Sequence, residues 1–341
     1  MEFFFKLTWK DADLEQVLCY IYYIVFKPQF RYYENNNTYT DNKINASVAI
    51  NDIPKALVND WYVTGLTDSE GNFSINYNKN TNKVTFSYKI TQKVHSISVL
   101  HDLKAFFNCG NVVIDNKDSK GYKFQVSSLD SIINIIIPHF ENYPLQGSKR
   151  LDYLTWKNSI IDYRKSQNID SVLECKDNIN SKRLFDERWH YFNKVNINLD
   201  PEWVRGFVDG EGSFQINIGN YNNRGKPLLR VAATFEIAQN SHEIKLLEAI
   251  KLFFNSGYLK PKYNIESLED AKRVRSVSRY VSNDNRVVTE FFDKYPLKTI
   301  KNFDFLDWKK IIKLKSEDAH KKGKLDLMIS IKNAMNRNRF K

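Results

Sequence analysis

From Asn72 to Asn78 polar and apolar side chains alternate without a break, Asn72, Ser74, Asn76 and Asn78 on one side and Phe73, Ile75 and Tyr77 on the other. A period of two predicts a strand with one wet face and one core face. Asn80–Asn82 marks a turn. The alternation then resumes, with Val84, Phe86, Tyr88 and Ile90 inward and Thr85, Ser87, Lys89 and Thr91 outward. A helix is expected over about Ser96–Phe107, strands near Asn111–Asp115 and Tyr122–Ser127, a helix or buried segment from Ile132 to Phe140, and a closing helix over Ser148–Ile161.

The second half repeats this order. Ile90-Thr91-Gln92 returns as Ile237-Ala238-Gln239, Phe106-Phe107-Asn108-Cys109-Gly110 as Phe253-Phe254-Asn255-Ser256-Gly257, Tyr143-Pro144-Leu145 as Tyr295-Pro296-Leu297, and Trp156-Lys157 as Trp308-Lys309. The offset drifts upward along the chain, as small loop insertions such as Tyr221–Pro227 would cause. A match of this extent is a duplicated α/β unit. The reading divides the chain into an extension over 1–50, a first half over 51–165, a linker over 166–199 with some helix around Ser181–Phe192, and a second half over 200–341. The extension reads as packed or disordered chain without chemistry. Its apolar run Val17–Phe26 is shorter than the roughly 20 residues a bilayer crossing needs and lacks the flanks of a signal peptide. The tail Gly323–Lys341 is basic, and either packs along the second half or lies on a phosphate backbone.

Each half opens with the same stretch, Trp61–Gly71 (WYVTGLTDSEG) and Trp203–Gly212 (WVRGFVDGEG). Each reads as a short helix ended by a glycine at φ > 0. Gly65 and Gly206 leave room for two helices to meet backbone against backbone, which would set Glu70 and Glu211 side by side. Two acids there repel each other and sit at the negative ends of two helix dipoles. A divalent cation would remove the conflict, because hard cations take oxygen ligands.

Charge narrows the partner. The chain of 341 residues carries a formal net charge of +11 and a pI near 9.2, which favours a polyanion. Cys19, Cys109 and Cys175 are odd in number and lack metal-ligand spacing, which points to a reducing compartment and no disulfide framework. The abundance of Asn, Lys, Ile, Tyr and Phe suits an AT-rich, organellar gene.

Two halves related by a pseudo-twofold axis match a ligand that is itself nearly twofold, duplex DNA, whose major groove accepts a small sheet. The outward polar residues of the first half are Asn72, Ser74, Asn76, Asn78, Thr85, Ser87 and Lys89, then Lys120, Lys123 and Gln125. Those of the second are Ser213, Gln215, Asn217, Arg230, Thr234 and Glu236, then Lys260, Lys262, Arg273, Arg275 and Ser276. Glu70 and Glu211 would each approach one strand with Mg²⁺, which brings an activated water and neutralises developing charge. Gln92 and Gln239 are a matched pair suited to ordering water. Lys149 and Lys301, also matched, are either charge stabilisers or ordinary surface residues.

VTGLTDSEG and VRGFVDGEG resemble the two signature motifs of a single-chain LAGLIDADG homing endonuclease of the fungal mitochondrial intron-encoded type. The resemblance covers about Asp60 to the C-terminus. It implies an α+β fold of two αββαββα half-domains with saddle-shaped antiparallel sheets on the DNA and the motif helices packed at the centre. It implies a monomer making a metal-dependent break in both strands across the minor groove, with short 3′ overhangs, in a mitochondrion. It makes Glu70 and Glu211 the metal ligands, matches Gln92 and Gln239 to the family's active-site glutamine, and matches Lys149 and Lys301 to its basic residue. Thr64 and Arg205 depart from the usual small residue of the helix interface, and Thr67 and Ser69 make the first motif more polar. The alternatives are a maturase that assists splicing of its host intron RNA, alone or in addition, and a non-catalytic DNA-binding regulator on the same scaffold. No membrane partner is expected.

Overall fold

In the computed structural model, residues 58–116, 120–192, 197–223, 226–260, 267–273, 277–318 and 323–339 are described. The extension over 1–50 lies outside them. Helix α1, Asp60–Glu70, starts at Asn59, whose side chain accepts from the Tyr62 N–H at 2.9 Å. It runs into the hairpin β1 (Gly71–Asn78) and β2 (Lys83–Lys93). Then come α2 (Ile97–Phe107), β3 (Asn111–Asn116) and β4 (Gly121–Val126). The helical run α3 joins Leu129–Ser131, a π turn at Ile132–Ile136 and Ile137–Asn142, and α4 spans Lys149–Ser166. Two further helices follow, α5 (Ile169–Asp177) and α6 (Phe185–Phe192). The second copy runs α7 (Pro201–Glu211), β5 (Gly212–Asn223), β6 (Lys226–Gln239), α8 (Ile244–Phe254), β7 (Tyr258–Lys260), α9 (Leu268–Arg273), β8 (Ser278–Ser282), α10 (Asn285–Lys294), α11 (Lys301–Ser316) and α12 (Leu325–Asn333).

Each half holds a four-stranded antiparallel sheet, ordered β1-β2-β4-β3 and β5-β6-β8-β7. The alternation read from the sequence becomes the burial pattern: Phe73, Ile75, Val84, Phe86, Tyr88 and Ile90 are buried beneath the first sheet. Their counterparts Phe214, Ile216, Ala233, Phe235 and Ile237 lie in a second core. The repeated FFNCG and FFNSG turns have a backbone cause. Asn108 and Asn255 end α2 and α8 in the left-handed region at φ 49° and 46°, and Gly110 and Gly257 follow at 75° and 84°, where a Cβ is costly. The second hairpin is longer, with twelve β5–β6 pairs against eight for β1–β2.

The stretch after α4 and the C-terminal tail are the same element. After α5, Ile179 is buried and Asn180 sits at φ 57°, its Nδ2 donating to the Phe73 carbonyl at 2.8 Å. After α12, Met335 is buried and Asn336 sits at φ 57°, its Nδ2 donating to the Phe214 carbonyl at 3.1 Å. β1 and β5 are edge strands, so each asparagine satisfies a carbonyl that pairing leaves open. Arg183 Nε then reaches Asp152 at 2.8 Å, and Arg339 Nε reaches Asp304 at 3.0 Å. The tail therefore packs along the second half.

The two arginine anchors differ in redundancy. Asp152 is also held by Arg188 at 2.9 Å. Asp304, 5 % exposed, has Arg339 and the Asn336 N–H at 2.8 Å. Removing one partner of a buried pair strands the other charge. Arg339→Ala is expected to cost about 3 kcal/mol and Arg183→Ala clearly less, read by urea denaturation of the full chain.

Candidate active site

α1 and α7 cross at their glycines. A Cβ on Gly65 would lie 2.0 Å from the Trp203 carbonyl oxygen, and one on Gly206 would lie 2.2 Å from that of Tyr62. Two crossed hydrogen bonds flank the seam, Tyr62 Oη to Asp209 Oδ2 and Trp203 Nε1 to Asp68 Oδ2, each 2.8 Å. Asp68 also accepts from the Gln146 and Gly147 N–H groups at 2.7 and 3.1 Å. Asp209 accepts from the Lys298 and Thr299 N–H groups at 2.9 and 3.0 Å. Each aspartate thus ties the opposite motif helix to the loop that leads into its own half's lysine. Burial pushes the Asp68 carboxyl up to about 6, against the Gln146 N–H and the Trp203 indole. The two departures from a small interface residue lie beside the seam. Thr64 donates to the Tyr143 carbonyl at 2.9 Å. Arg205 pairs with Glu202 and lies 4.8 Å from the Tyr62 ring centre.

The glycines that end the motif helices are not left-handed. Gly71 has φ −73° and Gly212 φ −70°. The reason for glycine is space, since a Cβ on Gly71 would lie 2.5 Å from Thr67 Cγ2 and one on Gly212 would lie 2.4 Å from Val208 Cγ1. The chain passes from helix straight into strand, and a side chain would block that corner. The helix ends abut: a Cβ on Gly210 would lie 2.2 Å from Ser69 Oγ and 3.0 Å from Glu70 Cγ.

At this junction Glu70 is exposed and Glu211 half-buried. Surrounding protein raises both carboxyls above the usual range; Lys301 and Lys149 pull both down, and Glu211 pushes Glu70 further up. Lys149 Nζ donates to the Thr67 and Ser69 carbonyls at 2.8 and 3.2 Å. Lys301 Nζ donates to the Val208 carbonyl at 3.3 Å and to that of Gly210. These carbonyls belong to the last turns of α1 and α7, at the negative ends of the helix dipoles, where a cation is favoured. Burial lowers both ammonium groups below their usual range, and nearby carboxylates including Glu70 and Glu211 oppose it. Both lysines are half-buried against the helix ends that carry Glu70 and Glu211. The Gln239 side chain draws the Glu211 carboxyl down, whereas the buried Gln92 Nε2 has no hydrogen-bond partner among the described residues. Among the described residues no three His, Cys, Asp or Glu side chains converge on one metal position. Two hard carboxylates, with the remaining oxygens left to water and phosphate, fit a divalent cation of the Mg²⁺ type.

Most of the polar strand residues share rows on one face. Asn72 pairs with Lys89 and Lys89 with Gln125, Ser74 with Ser87, Asn76 with Thr85, Ser213 with Glu236, Gln215 with Thr234. Asn76, Asn78, Lys120, Gln215, Asn217, Arg230 and Lys260 are exposed, and Asn72, Ser74, Thr85, Lys89, Lys123, Gln125, Ser213, Thr234 and Glu236 half-exposed. Ser87 is the exception, 2 % exposed with its hydroxyl 2.7 Å from Ser74 Oγ; cross-strand pairing covers it and removes it from the open face. Lys123 is ion-paired with Asp115 at 3.1 Å. Lys262, Arg275 and Ser276 lie outside the described residues, as does the side chain of Arg273.

Sequence reading gave no role to Asp68, Asp209, Tyr62 or Trp203, although both aspartates recur at the motif offset. Glu243 had no such signal, because its counterpart is a serine. No helix among the described residues is long and apolar enough to cross a membrane.

The sequence profile of the LAGLIDADG endonuclease family matches residues 63–160 and 204–312. A probable intron-encoded endonuclease 3 of Neurospora crassa is 29 % identical over 287 residues, which cover 77 % of this chain and 51 % of that protein. The chain thus spans about half the length of that curated relative. Among solved structures, the I-SmaMI homing endonuclease bound to cleaved DNA is 22 % identical at TM-score 0.69, covering 84 % of this chain and 99 % of that one. The I-GzeII homing endonuclease in complex with its DNA target is 26 % identical at TM-score 0.66, covering 83 % and 99 %.

Proposed function

This chain belongs to the LAGLIDADG endonuclease family, and from that membership we propose that it is a site-specific homing endonuclease. It cuts both strands of a long double-stranded DNA target by Mg²⁺-dependent phosphodiester hydrolysis, leaves 3′ overhangs, and so promotes the mobility of its intron. The observation that carries this reading is the pair of acids, Glu70 and Glu211, at the abutting ends of two helices, beneath two lysines that bind those same ends. Glu70 and Glu211 hold the divalent cation, which supplies an activated water and Lewis acidity when bound. Lys149 and Lys301 present positive charge to the phosphate, and Gln92 and Gln239 order water beside it. The polar sheet faces carry the target: phosphate contacts by the lysines fix register, and Asn, Gln and Arg read base edges. One chain supplies both halves, so the enzyme acts as a monomer. The fungal intron-encoded relatives and the AT-type composition support a mitochondrial location.

The test is cleavage of a supercoiled plasmid carrying the uninterrupted host gene. A single linear product is expected with Mg²⁺ and none with EDTA. Tight binding without cutting would replace the enzyme by a regulator, and binding confined to the intron transcript would replace it by a maturase.

Lys149→Ala and Lys301→Ala are each expected to slow cleavage about 100-fold with DNA affinity in EDTA unchanged. Lys301 lowers both glutamate pKa values, so Lys301→Met is expected to move the acid limb of the pH–rate profile to higher pH.

A further inference from the structure

Neither lysine-bearing helix is capped by the side chain of its N-cap residue, although the Lys301 N–H reaches Thr299 Oγ1 at 3.4 Å. The residues before α4 and α11, Ser148 and Ile300, make no capping side-chain bond to their own helices. Besides the aspartate of its own half, each start is held by a side chain from the opposite half. The Ile300 N–H donates to Ser96 Oγ at 3.2 Å, a neutral hydroxyl. The Ser148 N–H donates to both oxygens of Glu243, at 3.0 and 3.3 Å, and Ser148 Oγ donates to Glu243 as well. Ser96 and Glu243 occupy equivalent places in the short turns before α2 and α8. The two halves therefore use unlike groups for the same task.

Glu243 is 7 % exposed and sits among charges. Arg188 reaches Ser148 Oγ at 3.0 Å, and His242 Nε2 lies 3.6 Å from the Glu243 carboxyl. A Cβ on Gly147 would lie 3.0 Å from Asp68 Oδ1 and 3.7 Å from Glu243 Oε2. Asp68 and Glu243 thus grip consecutive N–H groups, Gly147 and Ser148, immediately before Lys149. A carboxylate at a helix N-terminus is favoured by the dipole, and its hydrogen bonds are about twice as strong as those to a neutral acceptor.

We propose that Glu243 is a positioning residue for Lys149: through the start of α4 it fixes the lysine of the first half from the second half, and makes the two cutting centres unequal. Ser96 holds Lys301 by a weaker neutral bond. The inference rests on the endonuclease reading and on the role given there to Lys149.

The test is single-turnover cleavage of a target labelled separately on each strand, with melting temperature and DNA affinity in EDTA measured alongside. Lys149→Ala identifies the strand that depends more on Lys149. Glu243→Gln, which keeps an acceptor but removes the charge, is expected to slow that strand about tenfold, leave the other within twofold, and change neither affinity nor melting temperature appreciably. Glu243→Asp restores most of the loss, and Ser96→Ala acts on the opposite strand. Should Glu243→Gln not fold, Ser148→Ala removes one bond to Glu243, and a smaller loss on the same strand is expected. Equal slowing of both strands with a lowered melting temperature, or no change on either, overturns the proposal. If Lys149→Ala itself leaves both strands untouched, the lysine reading fails first and takes this inference with it; if it slows one strand and Glu243→Gln does not follow, only the inference fails.

Discussion

Glu70→Gln/Glu211→Gln is expected to bind its target and cut neither strand, with a rate loss of about 1,000-fold or more. Glutamine keeps the shape and polarity of the side chain but carries no charge to hold a divalent cation. Each single variant is expected to accumulate nicked plasmid, because the other acid remains. Stability moves the opposite way. Both carboxyls are raised above their usual range by the surrounding protein. A carboxyl raised in the folded state binds protons more readily there than in the unfolded chain, so its stabilising contribution is present at low pH and is lost as pH rises through its folded pKa. Ionising the two acids thus acts against folding. The double variant is therefore expected to melt no lower than the parent, and somewhat higher at neutral pH. Retained cutting by the double variant would remove the metal-ligand assignment. A fall in melting temperature would show the acids to be structural.

The second large effect is expected at the helix seam. Gly65→Ala/Gly206→Ala gains about 1 kcal/mol of helix propensity per site, but each added Cβ meets backbone. The atoms at 2.0 and 2.2 Å are carbonyl oxygens of the facing helix, which no rotamer change moves. The helices must part, and the two crossed bonds from Tyr62 and Trp203 go with them; bonds to charged groups are each worth about 1.5–3 kcal/mol. Overpacking adds about 1–3 kcal/mol or more per site. Against a total stability of about 5–15 kcal/mol the clash wins, and the double variant is expected to lose at least half of it. Cleavage falls further than folding, because parted helices no longer hold the two acids together. Gly219→Ala is the control, since a Cβ there meets nothing within 4 Å. A double variant that melts with the parent would mean that the two helices do not meet at these glycines.

Much of this was legible in the sequence because the signals are local. Alternation over Asn72–Asn78 and Val84–Thr91 gave the strands and their inner faces. Asn108, Gly110, Asn255 and Gly257 recur in both halves because left-handed backbone restricts residue choice. The motif acids and the two lysines stood out by repetition. What did not show depends on contacts across the fold. Gly71 and Gly212 are required by a packed corner and not by a positive φ, and both causes select the same residue. Ser87 follows the outward period of β2, yet its cross-strand partner covers it. The kinship of 169–183 with 325–339 rests on four scattered identities, Asp170/Asp326, Lys176/Lys332, Asn180/Asn336 and Arg183/Arg339, which form no contiguous motif. Glu243 was invisible because its equivalent is Ser96, and only the fold brings each to the other half.

The recurrence of that edge-covering element redraws where one copy stops. With that element each copy reaches Arg183 or Arg339, and the stretch from Leu184 to Asp200 joins them, its Trp189 buried in the second core. A backbone break just after Arg183 would leave each fragment with its own sheet, core and edge cover, and the two would meet through the glycine seam, the aspartate bonds, the crossed helix starts, the Arg183–Glu187 ion pair and the reach of Arg188 back to Asp152, Ser148 and Asn180. Their union would then depend on concentration. The chain that joins them also makes that meeting intramolecular, fixing the ratio of the two unlike copies at one to one.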